Sequence, residues 1–137
     1  MSGPSVLVID DDEIVRELMC ELLRTRGCEV SSTGSPIGVS KLIVQHQIDI
    51  VVLDVVMPDM SGDKLAKLLR GNPKLQQLTI VLVSSTQSDN LHRIAAEVRA
   101  DAVVSKSELR EQLAMIALGA FRRKMLSRTM PKKPSGL

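Results

Sequence analysis

Aromatic residues are nearly absent from this chain of 137 residues, which has one phenylalanine and neither tyrosine nor tryptophan. A core must therefore be built from Val, Ile, Leu, Met and Ala. No apolar run approaches the roughly 20 residues that span a bilayer. The chain also does not open with a basic segment followed by a long apolar one, so we expect no secretory signal.

Cysteines are also few. Cys20 and Cys28 match no metal-ligand spacing and suggest no disulfide framework. We expect both to be reduced core residues of a cytoplasmic protein.

Acidic residues are missing from the C-terminal end. No Asp or Glu follows Glu111, whereas six of the eighteen basic residues do, which leaves twelve basic against sixteen acidic residues in 1–111. The net charge is thus about −4 for residues 1–111 and +6 for the residues that follow. This split argues against a body that binds nucleic acid.

Short β-branched runs alternate with segments of helical spacing. The predicted strands are 5–10, 28–32, 48–54, 79–85 and 101–106. The predicted helices are 12–26, 35–47, 62–72, 88–100 and one from about 108. Because several strands are continuously apolar, both faces of a parallel sheet should be covered, as in a three-layer α/β sandwich.

Two of these helices carry specific local signals. In 12–26, Ile14, Val15, Leu18, Leu22 and Leu23 have the spacing of a buried helical face. In 35–47, Ser35 is the predicted N-cap, with Pro36 in the first turn.

Polar side chains end four of the predicted strands. They are Asp10, Asp11 and Asp12 after the first, Asp54 on the third, Ser84 and Ser85 on the fourth, and Ser105 and Lys106 on the fifth. Taken singly, Asp11 or Asp12 fits a helix cap, Asp54 a turn, Ser84 a loop and Lys106 a solvated charge. Taken together, they fall at one edge of the sheet, where open α/β sheets bind ligands.

Three carboxylates at that edge repel each other unless a cation neutralises them. Ligation by oxygen atoms alone suits Mg²⁺. A carboxylate fixed at a strand end, such as Asp54, can attack phosphorus and form an aspartyl phosphate. Lys106 and the hydroxyl of Ser84 would contact the phosphoryl oxygens.

The segments "VLVIDDDEIVR" (6–16), "VVLDVVMPDMSG" (51–62), "IVLVSS" (80–85) and "VVSK" (103–106) together resemble the receiver domain of two-component response regulators. The resemblance implies a doubly wound, flavodoxin-like (βα)5 fold with strand order 2-1-3-4-5. It implies a receiver domain over 1–120. The residues "GAFRRKMLSR" further predict a last helix that extends past the domain. The remainder, 121–137, would be a basic helix extension with a flexible tail.

The resemblance also assigns roles. It implies a switch in which Asp54 is the phosphoacceptor, and not a turnover enzyme. The Mg²⁺ site would comprise Asp10, Asp11, Asp54 and the backbone carbonyl of Val56. Ser84 resembles the switch hydroxyl and Lys106 the phosphate-sensing lysine. The implied partners are a sensor histidine kinase or phosphotransfer protein as phosphohistidine donor, and a downstream protein target.

Three positions depart from the family pattern. Val103 stands where Tyr or Phe is usual. Valine has no aromatic ring that could swing inward when the Ser/Thr hydroxyl moves. Ser107 replaces the proline after the lysine, so we expect no cis peptide there. Val56 replaces a common polar residue, and its branched side chain should hinder attacking water and prolong the life of the phosphoryl group. Val103 and Ser107 are candidate modulators, and so is Ser85, which follows the predicted switch residue Ser84.

Alternative functions stay open. The protein is a stand-alone regulator, a receiver cut from a larger regulator, or a pseudo-receiver that signals without phosphate. A haloacid-dehalogenase-type phosphatase would need a second aspartate where Val56 stands. The last helix would form a homodimer or partner surface, lead into an output domain, or end as a solvated basic helix; we do not expect direct binding to nucleic acid or membrane.

Overall fold

Five parallel strands form a single sheet in the computed structural model, which describes residues 3–57, 60–85 and 89–129 except for the side chains of 89, 90 and 129. The strands are β1 (Ser5–Ile9), β2 (Glu29–Thr33), β3 (Ile50–Asp54), β4 (Thr79–Ser84) and β5 (Ala102–Ser105). Their order is β2-β1-β3-β4-β5, and every pairing is parallel. The predicted sheet and strand order are confirmed.

Helices cover both faces of this sheet. They are α1 (Glu13–Arg24), α2 (Val39–Gln45), α3 (Gly62–Gly71), α4 (Asp89–Glu97) and α5 (Leu109–Thr129), with 3-10 turns at Pro73–Leu75 and Lys106–Glu108. Helices α1 and α5 pack on one face, and α2, α3 and α4 pack on the other. No helix in the described part of the chain is long and apolar enough to cross a membrane.

Aliphatic side chains fill both cores. Every residue of β3 and β4 is buried, as expected for central strands covered on both faces. Cys20 and Cys28 are buried and unpaired, and burial raises the pKa of both thiols. Both cysteines are thus core residues, as predicted.

The predicted start of the second helix is wrong. Helix α2 begins at Val39, and its N-cap residue is Gly38, at a φ of 76°. Ser35 instead accepts a hydrogen bond from the N–H of Ile37 over 3.2 Å, which closes a turn before the helix. The left-handed backbone of Gly38 turns the chain into the helix only after that turn.

Ile14 does not belong to the buried face of α1, although it has the right spacing. The side chain of Asp12 accepts hydrogen bonds from the N–H groups of Ile14 and Val15 and caps the helix. Val15 and Leu18 pack against the core, whereas Ile14 lies in the first turn and is 83% exposed.

Helix α5 continues through residue 120 without a break. Beyond that point, Lys124 Nζ donates hydrogen bonds to the carbonyl of Leu78 over 2.9 Å and to Asp101 over 3.0 Å. Burial lowers the pKa of Lys124, and the nearby charge of Arg70 lowers it further, against the opposing effect of Asp101. The division of the chain at residue 120 stays a prediction.

Asp101 also binds the end of α3. Arg70 is buried, and its guanidinium contacts Asp101 over 2.6 Å and the carbonyl of Leu78 over 2.7 Å. The same carboxylate accepts the N–H of Ile80 over 2.8 Å. One carboxylate therefore ties α3, β4 and α5 together at the amino-terminal edge of the sheet.

Helices α2 and α4 are each followed, two positions beyond their last residue, by a residue other than glycine with a left-handed backbone: Gln47 at a φ of 51° and Arg99 at 53°. We expect Gln47→Gly to stabilise the protein by about 1 kcal/mol, because the exposed side chain loses no contact while the backbone strain is removed. Thermal unfolding should show a Tm higher by roughly 3–4 °C.

The matched control is Lys41→Gly, at an exposed position inside the same helix. There glycine should lower stability by about 1 kcal/mol. Equal effects of the two glycines would contradict the argument from backbone conformation.

Candidate functional site

Three carboxylates meet at the carboxyl edge of the sheet. Asp10 directly follows β1, Asp54 is the last residue of β3, and Asp11 lies beside Asp10. Because β1 and β3 are neighbours with Ile9 opposite Leu53, their ends place Asp10 next to Asp54. One oxygen from each carboxylate lies within 4.8 Å of the others. The predicted convergence is therefore observed.

Burial differs among the three carboxylates. Asp10 and Asp54 are 0% and 3% exposed, whereas Asp11 is exposed to solvent. The site thus has a buried floor and an open side from which an ion or a phosphoryl group can approach.

Each buried carboxylate is oriented by a backbone N–H two residues further along the chain. Asp10 Oδ1 accepts from Asp12 over 2.8 Å, and Asp54 Oδ1 accepts from Val56 over 3.1 Å. Lys106 Nζ donates to Asp54 Oδ2 over 2.9 Å. The nucleophile candidate is thus held by one backbone donor and one ammonium group.

Lys106 also lies 3.4 Å from Asp10 Oδ2, which is close enough for an ion pair. That buried oxygen has no hydrogen bond from any residue the structure describes. Burial raises the pKa of Asp10, and the charge of Asp54 raises it further, while the Asp12 N–H and Lys106 act in the opposite direction. Burial by itself lowers the pKa of Lys106, but Asp54 and Asp10 outweigh it, so the pKa of Lys106 is raised.

The donor set fits a hard divalent cation. Asp10, Asp11 and Asp54 offer only oxygen atoms, and the buried Oδ2 of Asp10 accepts no hydrogen bond from the described part of the chain, with only the ion pair to Lys106 nearby. A cation bound there would relieve the repulsion that raises the pKa of Asp10. The acidic cluster is therefore a candidate metal site.

Ser84 ends β4, where it is 3% exposed and pairs with Ser105. The preceding residue, Val83, pairs with Asp54, so Ser84 follows β4 out toward the same edge. Ser85 is exposed, and Val103 is half-buried in β5 against the core under α3 and α4. The roles given to Ser84, Ser85 and Val103 stay predictions.

Ser107 takes part in a short turn that follows β5. The hydroxyls of Ser105 and Ser107 lie 2.9 Å apart, and Ser105 Oγ also accepts the N–H of Ser107. The peptide bond between Lys106 and Ser107 is trans, as expected with serine in place of proline. This hydroxyl pair flanks Lys106 on both sides and restrains the backbone that carries it.

Two residues that support the site were not assigned roles in the sequence analysis. Arg16 donates to the carbonyl of Asp10 over 2.7 Å. Gly62 donates its N–H to the carbonyl of Val55 over 2.8 Å, and a Cβ on Gly62 would collide with the backbone carbonyl of Asp54. Both residues end quoted motifs, but the sequence analysis gave neither of them a role.

Comparison with known proteins gives a consistent result. The family model for the response regulator receiver domain matches residues 6–117. Transcriptional regulatory protein GltR of Pseudomonas aeruginosa is 28% identical over 116 residues, which are 84% of this chain and 48% of that protein. Two-component response regulator ORR8 of rice is 35% identical over 86 residues, which are 62% of this chain and 71% of that protein. The chain thus spans about half the length of GltR.

Solved structures show the same fold. The signal receiver domain of the putative response regulator NarL from Mycobacterium tuberculosis has a TM-score of 0.78 at 23% identity, and the match covers 89% of this chain and 98% of that one. Chemotaxis protein CheY4 of Vibrio cholerae has a TM-score of 0.75 at 20% identity, with the same coverage.

Asp10→Asn should stabilise the metal-free protein at neutral pH by on the order of 1 kcal/mol, because it removes a buried negative charge. The folded protein binds a proton on Asp10 more tightly than the unfolded chain does. Wild-type stability from this group therefore falls as pH rises from about 3.8 through the raised pKa. The Asn variant should lose this part of the pH dependence in thermal unfolding.

Asp11→Asn is the control, since Asp11 is exposed and its charge costs little without metal. A divalent cation bound at the acidic cluster should raise the Tm of the wild type, and both variants should lose that rise. A metal-free Asp10→Asn protein less stable than the wild type would contradict the role assigned to burial.

Proposed function

This chain belongs to the response regulator receiver domain family, and from that membership we propose that Asp54 accepts a phosphoryl group from a phosphohistidine. The donor would be a sensor histidine kinase or a phosphotransfer protein. The observation that carries the proposal is the position of Asp54 at a buried strand end, with one oxygen on the Val56 N–H and the other on Lys106, beside two further carboxylates.

The proposed reaction transfers one phosphoryl group from the histidine nitrogen to Asp54. A carboxylate oxygen of Asp54 attacks phosphorus in line, the bond between phosphorus and the histidine nitrogen breaks, and that nitrogen keeps the electron pair and takes up a proton. Lys106 supplies positive charge where the phosphoryl oxygens arrive. Because the Val56 N–H and Lys106 already orient Asp54, little reorganisation of the nucleophile precedes attack.

We propose Mg²⁺ as the cation, held by Asp10, Asp11, Asp54 and the carbonyl of Val56. When bound, it neutralises the phosphoryl oxygens and orients the group for in-line attack. The oxygen-only donor set and the buried Asp10 Oδ2 support this assignment. Asp10 and Asp11 would hold the ion, while Asp54 would share one oxygen with it.

The result would be a reversible switch and not a turnover enzyme. Phosphorylation adds about −1.5 to −2 charge at pH 7, to which Ser84 and Lys106 would respond. The surface made by α4, β5 and α5 would then change its affinity for a downstream protein. We place the domain in the cytoplasm, where its two unpaired thiols stay reduced.

Two alternatives have observations in their favour. GltR is about twice as long as the matched region, so this chain would fit as the receiver part of a larger regulator. A module that signals without phosphate is favoured by Val103 and Ser107, which depart from the family pattern at β5 and the following turn. Phosphorylation experiments separate this second alternative from the main proposal.

Incubation with acetyl phosphate should add one phosphoryl group to the wild-type protein in Mg²⁺ and none in EDTA, measured by intact-mass spectrometry. Asp54→Asn should abolish the adduct, because an amide is a poor nucleophile. Asp63→Asn, a change of the same kind in α3, should leave it intact. A folded wild-type protein with neither adduct nor Mg²⁺ binding would refute the phosphoacceptor proposal.

Val56→Asn should shorten the life of the phosphoryl group several-fold. The Val56 side chain is 69% exposed and lies two residues from Asp54, and we propose that it screens the phosphoryl group from water. Loss of the adduct after removal of acetyl phosphate gives the half-life. Val44→Asn on the exposed side of α2 is the control, and an unchanged half-life in Val56→Asn would contradict the screening role.

A further inference from the structure

The outward side of α3 carries an apolar groove that phosphoryl transfer does not use. It has a volume of about 360 Å³ and is lined by Met60, Leu68 and the side chains of Lys64 and Lys67. Leu68 is 59% exposed, although it is a large aliphatic residue on a helix whose other leucines include the buried Leu65. The groove thus leaves apolar surface in contact with water.

Two lysines at the groove form no ion pair within the described residues. Lys64 and Lys67 are exposed, and neither forms an ion pair or a side-chain hydrogen bond with any residue in 3–57, 60–85 or 89–129. The surface therefore matches a partner that presents one aliphatic side chain flanked by carboxylates.

The first turns of α1 have that composition. Ile14 is 83% exposed, and Glu13 and Glu17 beside it are also exposed. Residues three or four apart share one face of a helix, so Glu17 lies on the same side as Ile14 and Glu13. Neither glutamate forms an ion pair within the part of the chain that the structure describes.

We propose that the α3 groove binds Ile14 of a second copy of this chain, with Glu13 and Glu17 of that copy paired to Lys64 and Lys67. The contact buries one aliphatic side chain, Ile14 (the knob), and the charged groups around it. It therefore falls in the class of small, transient interfaces and weakens as salt screens the ion pairs.

The contact is heterologous, because α1 and α3 cover opposite faces of the sheet and each copy contributes a different patch to it. After two copies bind, one retains a free groove and the other a free Ile14. Unless a ring closes, further copies add head to tail, and the mean size rises with protein concentration. The association needs no phosphoryl group, so it stands or falls separately from the proposed function.

Sedimentation velocity of the full chain at low salt tests the proposal. The wild-type protein should associate as concentration rises, and Ile14→Lys or Leu68→Glu should weaken association at least about tenfold. Met115→Glu is the matched control, since Met115 is 58% exposed on α5. Lys41→Glu on α2 controls for a change of charge, and circular dichroism verifies that all variants fold.

A mixing experiment isolates the contact. Ile14→Lys keeps the groove but loses the knob, whereas the double variant Lys64→Glu and Lys67→Glu keeps the knob but loses the groove. Each alone should remain monomeric, and the mixture should form a 1:1 complex that does not grow further.

Three results would overturn the proposal. One is a wild-type protein that stays monomeric at every concentration, which would leave the groove to an acidic helix of another protein. The second is association lost in Met115→Glu but kept in Leu68→Glu, which would assign the interface to α5. The third is a mixture of the two complementary variants that forms no complex.

Discussion

The ion pair between Lys106 and Asp54 is the interaction on which the site depends. Asp10 and Asp54 end neighbouring strands, and both carboxylates are buried, where water screens their repulsion poorly. An ammonium group at 2.9 Å from Asp54 and 3.4 Å from Asp10 offsets that repulsion. Because Lys106 follows β5 while Asp10 follows β1, the ammonium group reaches both carboxylates only when β1, β3, β4 and β5 have assembled. The chemistry at the edge is therefore a property of the complete fold.

Much of this fold could be predicted because β1, β3 and β4 consist mainly of consecutive aliphatic residues. The wrong predictions concern helix starts, where local geometry decides and periodicity does not. Ser35 has the features of a helix cap, but the positive φ of Gly38 delays α2 to Val39, and no periodicity encodes that angle. Ile14 has the right spacing for the core, yet it lies in the capped first turn of α1, where its side chain faces solvent.

The candidate site likewise contains residues that could be predicted from the sequence and one that could not. Asp10, Asp54 and Lys106 could be predicted as residues that end parallel strands, since topology alone brings such ends together. Which aspartate caps α1 was open in the sequence, and geometry selects Asp12, which frees Asp11 for the acidic cluster. Arg16 could not be predicted, because its role is a single bond to a backbone carbonyl.

Gly62 brings the two ends of the loop after β3 together. With no Cβ, it approaches the carbonyl of Asp54 closely enough for its N–H to bond to Val55. The chain therefore enters and leaves this loop at one fixed point, whatever lies between. Lengthening the loop costs mainly closure entropy, about 0.6 kcal/mol for each doubling. Insertions between Val56 and Ser61 can thus diversify over evolution without displacing Asp54. They would change which partner proteins recognise the carboxyl edge of the sheet.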